Sequence, residues 1–567
     1  LKCSQLGFVR AAECQAVAMG CLGSKSTYGI EPDQCKNAVA DLRRKYGCNI
    51  LTMGIKDQNV PGKLCFSGAL DEQLKAAIGQ VLSSDGDNRP ARKGNDEYDK
   101  MWDCNWHETS LTSGHQMFSL AKSYFPRGKV LVKLFDTLAA AGWSMAAAPN
   151  FGGVESRDDK GQVNSTVNWP VFVFYKEEAD SKFTSEHLFF AVKDSNMPGK
   201  LCAAGPVGEM EQAMVEALKP FSSSVTSEKD EYDKDYDVVW RNTSITSGSQ
   251  AMSLAKSYFP KGKTNVALLN CAYSFGWRAV AGPNFGGKGD SWPCVIFRKL
   301  KNLAEPAPEL LFGSIKDSNV PGKFCFAGTS ADTMTDVVCG ALTKVPDNDG
   351  VKSKKDSYDD DFDAVARNVH ITTGHANFSF KLPYFPRCDS MVTVLNALAA
   401  EGFQVVACPN FGGMKDSWPT FIFEKCSEVK PQMYLAIKDE NWPGKVCLGG
   451  GGIEADPTLS AELLDTLQTL CGPSVVARQD DYDKSFALCF ANTKVTSGHA
   501  SFSMAKPYWP HGFVVEMILQ VLFKHGWRAE GGPNFGDDGT SWPGMIFQKV
   551  GSDTNSLGAS TPIDVAV

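Results

Sequence analysis

Apolar side chains recur at helical spacing in four separate stretches of the chain. Leu131, Leu134, Phe135 and Leu138 form the first set, and Met391, Val394, Leu395 and Leu398 the third. Val515, Ile518, Leu519 and Leu522 form the fourth, and Asn265, Leu268, Leu269 and Ala272 a weaker second. The i, i+3, i+4, i+7 pattern predicts a helix with one buried stripe in each place. Each run stops at a glycine (142, 276, 402, 526) suited to a left-handed cap. A strand carrying Trp143, Trp277, Phe403 or Trp527 follows, then a Pro-Asn-Phe-Gly turn and a last aromatic strand such as WPVFVFYK or WPTFIFEK. Apolar residues do not alternate in that last strand, so both of its faces are expected to be covered. Upstream, LLFGSIKD (310–317) and Phe324-Cys325-Phe326 flank Val-Pro-Gly-Lys and predict two strands about a tight turn. A helix across Met334–Leu342 follows, then an acidic stretch and a strand ending at a Thr-Ser-Gly-His type turn.

This order occurs four times. Lys-Asp-x-Asn-x-Pro-Gly-Lys starts at Lys56, Lys193, Lys316 and Lys438, and a Tyr-Asp pair follows at 98, 232, 358 and 482. TSGHQMFSLAKSYFP, TSGSQAMSLAKSYFP, TTGHANFSFKLPYFP and TSGHASFSMAKPYWP begin at Thr112, Thr246, Thr372 and Thr496. Each copy closes with Pro-Asn-Phe-Gly and Trp-Pro. The fold class expected is therefore α+β: four tandem homologous small modules, each an antiparallel sheet packed with helices, after a short Cys-rich helical N-terminal segment. The divisions are 1–49 for that segment, 50–176, 187–299, 310–425 and 433–549 for the modules, and 550–567 for a flexible tail. Polar or Pro-containing linkers (177–186, 300–309, 426–432) favour independent beads over a thin-repeat solenoid. An insertion near 155–165 belongs to the first copy alone.

The ending of each module resembles small bacterial domains of unknown function that finish in LN-x-L-x-x-x-GW…FK. Leu269-Asn270 with Gly276-Trp277 and Leu395-Asn396 with Phe423-Glu424-Lys425 carry the likeness, which implies a small α+β fold and no activity.

A net charge of −8 lacks the basic footprint of a nucleic-acid binder. No apolar run approaches the roughly 20 residues of a membrane helix. The chain opens on Leu1 rather than Met, which predicts a processed or truncated N-terminus. Eighteen cysteines include one aligned thiol per module, Cys65, Cys202, Cys325 and Cys447, and a lone aligned thiol cannot staple its own module. Reduced, buried thiols are expected, and with them an intracellular setting, cytoplasmic or organellar. Local bridges are left open for Cys3, Cys14, Cys21, Cys35 and Cys48.

Catalytic signatures such as Gly-x-Ser-x-Gly, His-Glu-x-x-His and Cys-x-x-Cys are absent, and no enzyme is expected. Gly262-Lys263-Thr264 imitates the end of a phosphate loop in copy two alone and reads as coincidence. The acidic stretches near Asp96, Asp230, Asp356 and Gln479 lack calcium-loop spacing and read as solvated entries to a helix or strand, so no metal is expected. Sequons at Asn164, Asn242 and Asn377 fall at unmatched places and read as accidents. Three of the chain's eight histidines share one turn, His115, His375 and His499, with Ser249 in copy two. Histidine changes charge between about pH 5 and 8, so these are candidate binding or pH-sensing residues beside the plainer role of capping a turn. Trp169, Trp292, Trp418 and Trp542, with Asn150, Asn284, Asn410 and Asn534, could line a pocket for a flat conjugated ligand, although core packing is the commoner use of such rings.

Four related domains after a distinct N-terminal segment, acidic overall and with histidines at matched turns, resemble the luciferin-binding proteins of bioluminescent dinoflagellates. The resemblance covers residues 50–549 and implies an algal source and pH-dependent binding of an open-chain tetrapyrrole, released on acidification; Ser249 departs from it. The expected partners are such a ligand or other protein subunits, including a second copy of the chain. A scaffold within a larger assembly is the alternative function, and an enzyme of unrecognised type the next.

Overall fold

The structure, a computed structural model, describes residues 32–56, 62–84, 91–94, 99–113, 124–157, 163–177, 181–193, 199–247, 258–287, 290–316, 322–373, 385–412, 417–438, 444–480, 483–497, 509–536 and 541–550. The chain is α+β. A first helix, α1 (Pro32–Tyr46), precedes the first module. That module runs β1 (Ile50–Lys56), β2 (Gly62–Gly68), α2 (Glu72–Ser83), β3 (Arg92–Lys93), β4 (Cys104–Thr109), α3 (Gly128–Ala140), β5 (Trp143–Ala147), β6 (Asn150–Arg157) and β7 (Val163–Lys176). The sheet order is β3-β4-β2-β1-β7-β5, with β6 on the first half of β7, and every pairing is antiparallel. Among the described residues, seven strands and two α-helices recur in each later module. The helices are α4 (Met210–Leu218) and α5 (Gly262–Ser274), α6 (Ala331–Leu342) and α7 (Cys388–Ala400), then α8 (Pro457–Cys471) and α9 (Gly512–Lys524).

The local signals act as their chemistry dictates. Gly142, Gly276, Gly402 and Gly526 follow α3, α5, α7 and α9 with φ of 81°, 78°, 86° and 77°. The Pro-Asn-Phe-Gly segments turn into the last hairpins, and the insertion of copy one lengthens the β6–β7 hairpin. The last strand is covered on both faces. Phe172 and Phe174 pack on the module's own helices, and Val171, Val173 and Tyr175 on residues of module four.

That second covering corrects the expectation of beads on a string. The second helix of each module lies on the first two strands of the next. Thus α3 packs on Phe183–Lys193 and Lys200–Ala204, α5 on Leu310–Lys316 and Gly322–Ala327, and α7 on Gln432–Lys438 and Gly444–Gly450. Helix α9 packs back on β1 and β2. The four modules form a closed ring, and each large apolar cluster draws on two adjacent modules. β5 and its counterparts (Trp277–Ala281, Phe403–Ala407, Trp527–Gly531) meet one another around the centre. Backbones approach closely there. A Cβ on Gly282 would lie 2.3 Å from Pro409 N, and one on Gly532 2.4 Å from Pro149 N.

Helix α1 lies across the point of closure, packed on α8 and α9. Arg43 donates to Glu516 of α9 at 2.8 and 2.5 Å, and to Asp103 of module one at 3.2 and 2.5 Å. Ser67 Oγ donates to the same Glu516 at 2.5 Å. The N-terminal helix thereby joins the first module to the last.

Candidate functional site

The most regular chemistry lies at the four junctions. The chain enters each Thr-Ser-Gly-His type segment at Ser113, Ser247, Thr373 or Ser497 and leaves it at Phe125, Phe259, Phe385 or Trp509. These ends are pinned: Ser113 N–H donates to Phe125 O at 2.8 Å, and Phe125 N–H donates to Ser113 Oγ at 3.1 Å. The same two bonds recur in the other copies, each beside an isolated bridge such as Thr112–Pro126.

The exit ring is enclosed by the next module. Phe125 meets Trp292 edge to face at 5.2 Å, Phe259 meets Trp418 at 5.3 Å, Phe385 meets Trp542 at 5.4 Å, and Trp509 meets Trp169 at 5.4 Å. Such pairs contribute roughly 0.5–1.5 kcal/mol beyond area burial. A second ring, Tyr236, Phe362, Phe486 or Trp102, lies 5.6 to 5.7 Å away on the other side. Above each exit ring sits the first lysine of the next module's Lys-Asp-x-Asn-x-Pro-Gly-Lys. Lys193 lies 4.7 Å from Phe125, Lys316 4.7 Å from Phe259, Lys438 4.8 Å from Phe385, and Lys56 5.0 Å from Trp509. These are cation–π contacts, favoured by the negative face of the ring.

The second lysine of that segment is paired instead. Lys63, Lys200, Lys323 and Lys445 bind Asp99, Asp233, Asp359 and Asp483, each with a fully buried carboxylate. The acidic stretches are therefore not simply solvated: one aspartate of each is folded inward against lysine, a correction to the reading from sequence. In modules one and four the first lysine also reaches this carboxylate, Lys56 at 3.1 Å and Lys438 at 3.0 Å. Lys193 and Lys316 have no carboxylate within ion-pair distance among the described residues. Burial pushes both ammonium groups below the ordinary lysine range.

The aligned thiols sit in the same place. Cys202 and Cys325 lie near Lys193 and Lys316, yet burial pushes both up to about 12. Thiols so protonated are poor nucleophiles, which weighs against a nucleophilic role for Cys202 and Cys325. Cys35 and Cys48 are in no disulfide with a described residue, while Cys3, Cys14 and Cys21 lie outside the described residues.

The four Trp-Pro indoles are fully buried against the exit rings. The four Pro-Asn-Phe-Gly asparagines are buried and bonded to neighbours. Asn150 donates to Asn168 at 2.9 Å, and Asn284, Asn410 and Asn534 accept from Ser291, Ser417 and Ser541 at 3.0 to 3.1 Å. His115, His375 and His499 lie outside the described residues, as do the Asn377 sequon and the side chain of Asn164. Asn242 holds a left-handed turn (φ 57°) and donates to Ser224 O at 2.9 Å, as Asn368 and Asn492 do at the matching turns. Gly262 opens α5 where a Cβ would meet Phe362 at 2.6 Å, so close packing explains that glycine. What reading the sequence missed was the pairing of one module's exit ring with the next module's first lysine. Retention of both in all four copies was the available signal. No protein family, curated protein or solved structure matches the chain. No helix among the described residues is long and apolar enough to cross a membrane.

Proposed function

We propose that this chain is a non-enzymatic binding protein whose junctions receive a flat, conjugated, anionic small molecule, with an open-chain tetrapyrrole as the fitting class. The observation that carries the reading is the pair Lys193 and Lys316. Each is a partly buried cation over an aromatic face, with no carboxylate within ion-pair distance among the described residues. An anionic ligand would supply a counter-charge to each ammonium, and a conjugated one would add ring contacts. At the closing junction the buried indole N–H groups of Trp102 and Trp509 have no acceptor among the described residues, which also suits a carboxylate-bearing guest. His115, His375 and His499 follow the pinned residues by two positions. A neutral imidazole can accept from a pyrrole N–H, and protonation removes that acceptor, so release on acidification is part of the proposal.

The test is a titration of the purified chain with biliverdin, following its absorbance and the quenching of tryptophan fluorescence between pH 5 and 8. Saturable binding that weakens toward acid, falls at least tenfold in Lys193→Ala/Lys316→Ala, and loses its pH dependence in His115→Ala/His375→Ala/His499→Ala is expected. Binding indifferent to both sets of substitutions would overturn the reading. A scaffold is the second reading, favoured by Leu303 and Val429, which stand 61% and 57% exposed on linkers. Elution of the native protein in a large complex, lost on Leu303→Ser/Val429→Ser, would support it.

A further inference from the structure

Module four differs from its siblings at the centre of its sheet. Cys447, on the strand Gly444–Gly450, is the direct cross-strand partner of Cys489, on Leu488–Thr493. In the other modules the residue opposite the aligned cysteine is Asn105, or Val365 opposite Cys325 and Val239 opposite Cys202. Both thiols of module four are buried, at 0% and 1% exposure. Their sulfur atoms and an Asp483 oxygen lie within 4.8 Å of one another.

We propose that Cys447 and Cys489 form a reversible cross-strand disulfide, a redox-dependent staple confined to the module whose second helix closes the ring. Opposed residues of an antiparallel pair have Cα atoms about 4.5–5.5 Å apart, inside the roughly 4.4–6.8 Å that a disulfide spans. The oxidant is a small neutral peroxide, able to enter when the strands open briefly. One thiol and H₂O₂ give a sulfenic acid and water. The second sulfur then displaces the hydroxyl, which leaves as a second water with the remaining thiol proton. Two thiols are thus oxidised by two electrons as one peroxide is reduced. Burial raises the Cys447 thiol, so the reaction is slow beside that of exposed Cys48. A metal is the poorer occupant, because Asp483 is already held by Lys438 at 3.0 Å and by Lys445.

The full chain, reduced and then exposed to hydrogen peroxide, is denatured, alkylated and mapped by mass spectrometry. The expected result is a Cys447–Cys489 linked peptide, with Cys65, Cys202 and Cys325 alkylated. The link should vanish on treatment with dithiothreitol. The oxidised protein should melt several degrees higher. Cys489→Val, carrying the residue found at 239 and 365, should fold and show no such gain. Complete alkylation of both thiols after oxidation, a link to Cys388 instead, or zinc retained one per chain and lost in Cys489→Val would each overturn the proposal.

Discussion

The junction that closes the ring and the junctions that follow the chain solve one packing problem differently. From module one to two, and from two to three, the second helix meets the next sheet through part-exposed ion pairs. Lys129 lies 3.4 Å from Asp237, and Lys263 lies 3.5 Å from Asp363. Such pairs contribute about 0–1 kcal/mol each, which suffices where a short linker already holds the partners together. At closure Phe513 occupies the place of Lys129, and Asp103 that of Asp237. The cation comes from outside the repeat, as Arg43 of α1. Glu516 stands where Val132, Val266 and Val392 stand in the other helices and is fully buried. The rings are larger as well, Trp509 and Trp102 in place of phenylalanine or tyrosine. A boundary with no linker across it has acquired extra ring area and a buried ionic lock.

Removing the lock should have the largest effect. Arg43→Ala leaves Glu516 and Asp103 facing each other and should cost about 3–5 kcal/mol in urea unfolding. Arg43→Met/Glu516→Val, which copies the other junctions, should recover most of it. A double variant as unstable as the single one would mean that charge is not what holds this boundary.

Next comes acid. His511, at the foot of α9, donates Nδ1–H to Lys494 O at 2.8 Å; burial depresses it to about 4, against the raising effect of that hydrogen bond and with the charges of Lys494 and Lys56 lowering it further. The unfolded imidazole takes its proton near pH 6.5 and the folded one near 4. Its stabilising contribution is thus complete above about pH 6.5 and is lost as pH falls toward 4, by at most about 3 kcal/mol. Glu516, raised by burial, works in the opposite sense. The difference in urea midpoint between the parent and His511→Gln, followed from pH 7.5 to 4.5, isolates the histidine. A constant difference would refute it.

A smaller effect is expected between modules three and four. Gly128 and Gly262 open α3 and α5 against Ala204 and Ala327, but α7 opens on Cys388 against Gly449. A Cβ at Gly449 would lie 2.5 Å from Cys388 Sγ. Gly449→Ala should therefore cost about 1–3 kcal/mol, and Cys388→Gly should relieve it, a coupling that a double-mutant cycle measures. Smallest of all, Lys193→Met and Lys316→Met should each change stability by less than about 1 kcal/mol, because the lost cation–π contact is offset by relief of a buried charge.

The repeat, the helix with its glycine cap and the doubly covered last strand were legible because each is written in local spacing. Trp292 shows where legibility stopped. A buried indole in an aromatic-rich repeat reads equally as core or as ligand wall, and its partner Phe125 belongs to another copy more than 160 positions away. Nothing in a periodic pattern says which copy a face will meet. Asp233 was misread for a related reason: a carboxylate in an acidic run looks solvated until the strand register brings Lys200 beside it. Arg43 lay beyond the reach of repeat comparison, since α1 has no counterpart in the other modules.

Closure by α1 can be tested directly with a zero-length carbodiimide cross-link on the dilute native chain. Lys45 Nζ of α1 lies 3.2 Å from Asp465 of α8, and both side chains are accessible. A Lys45–Asp465 amide within single chains, abolished by Lys45→Ala, is the predicted product. Recovery of monomer in which Lys45 is linked only to its own helix, or of that amide only between two chains, would contradict the closed ring.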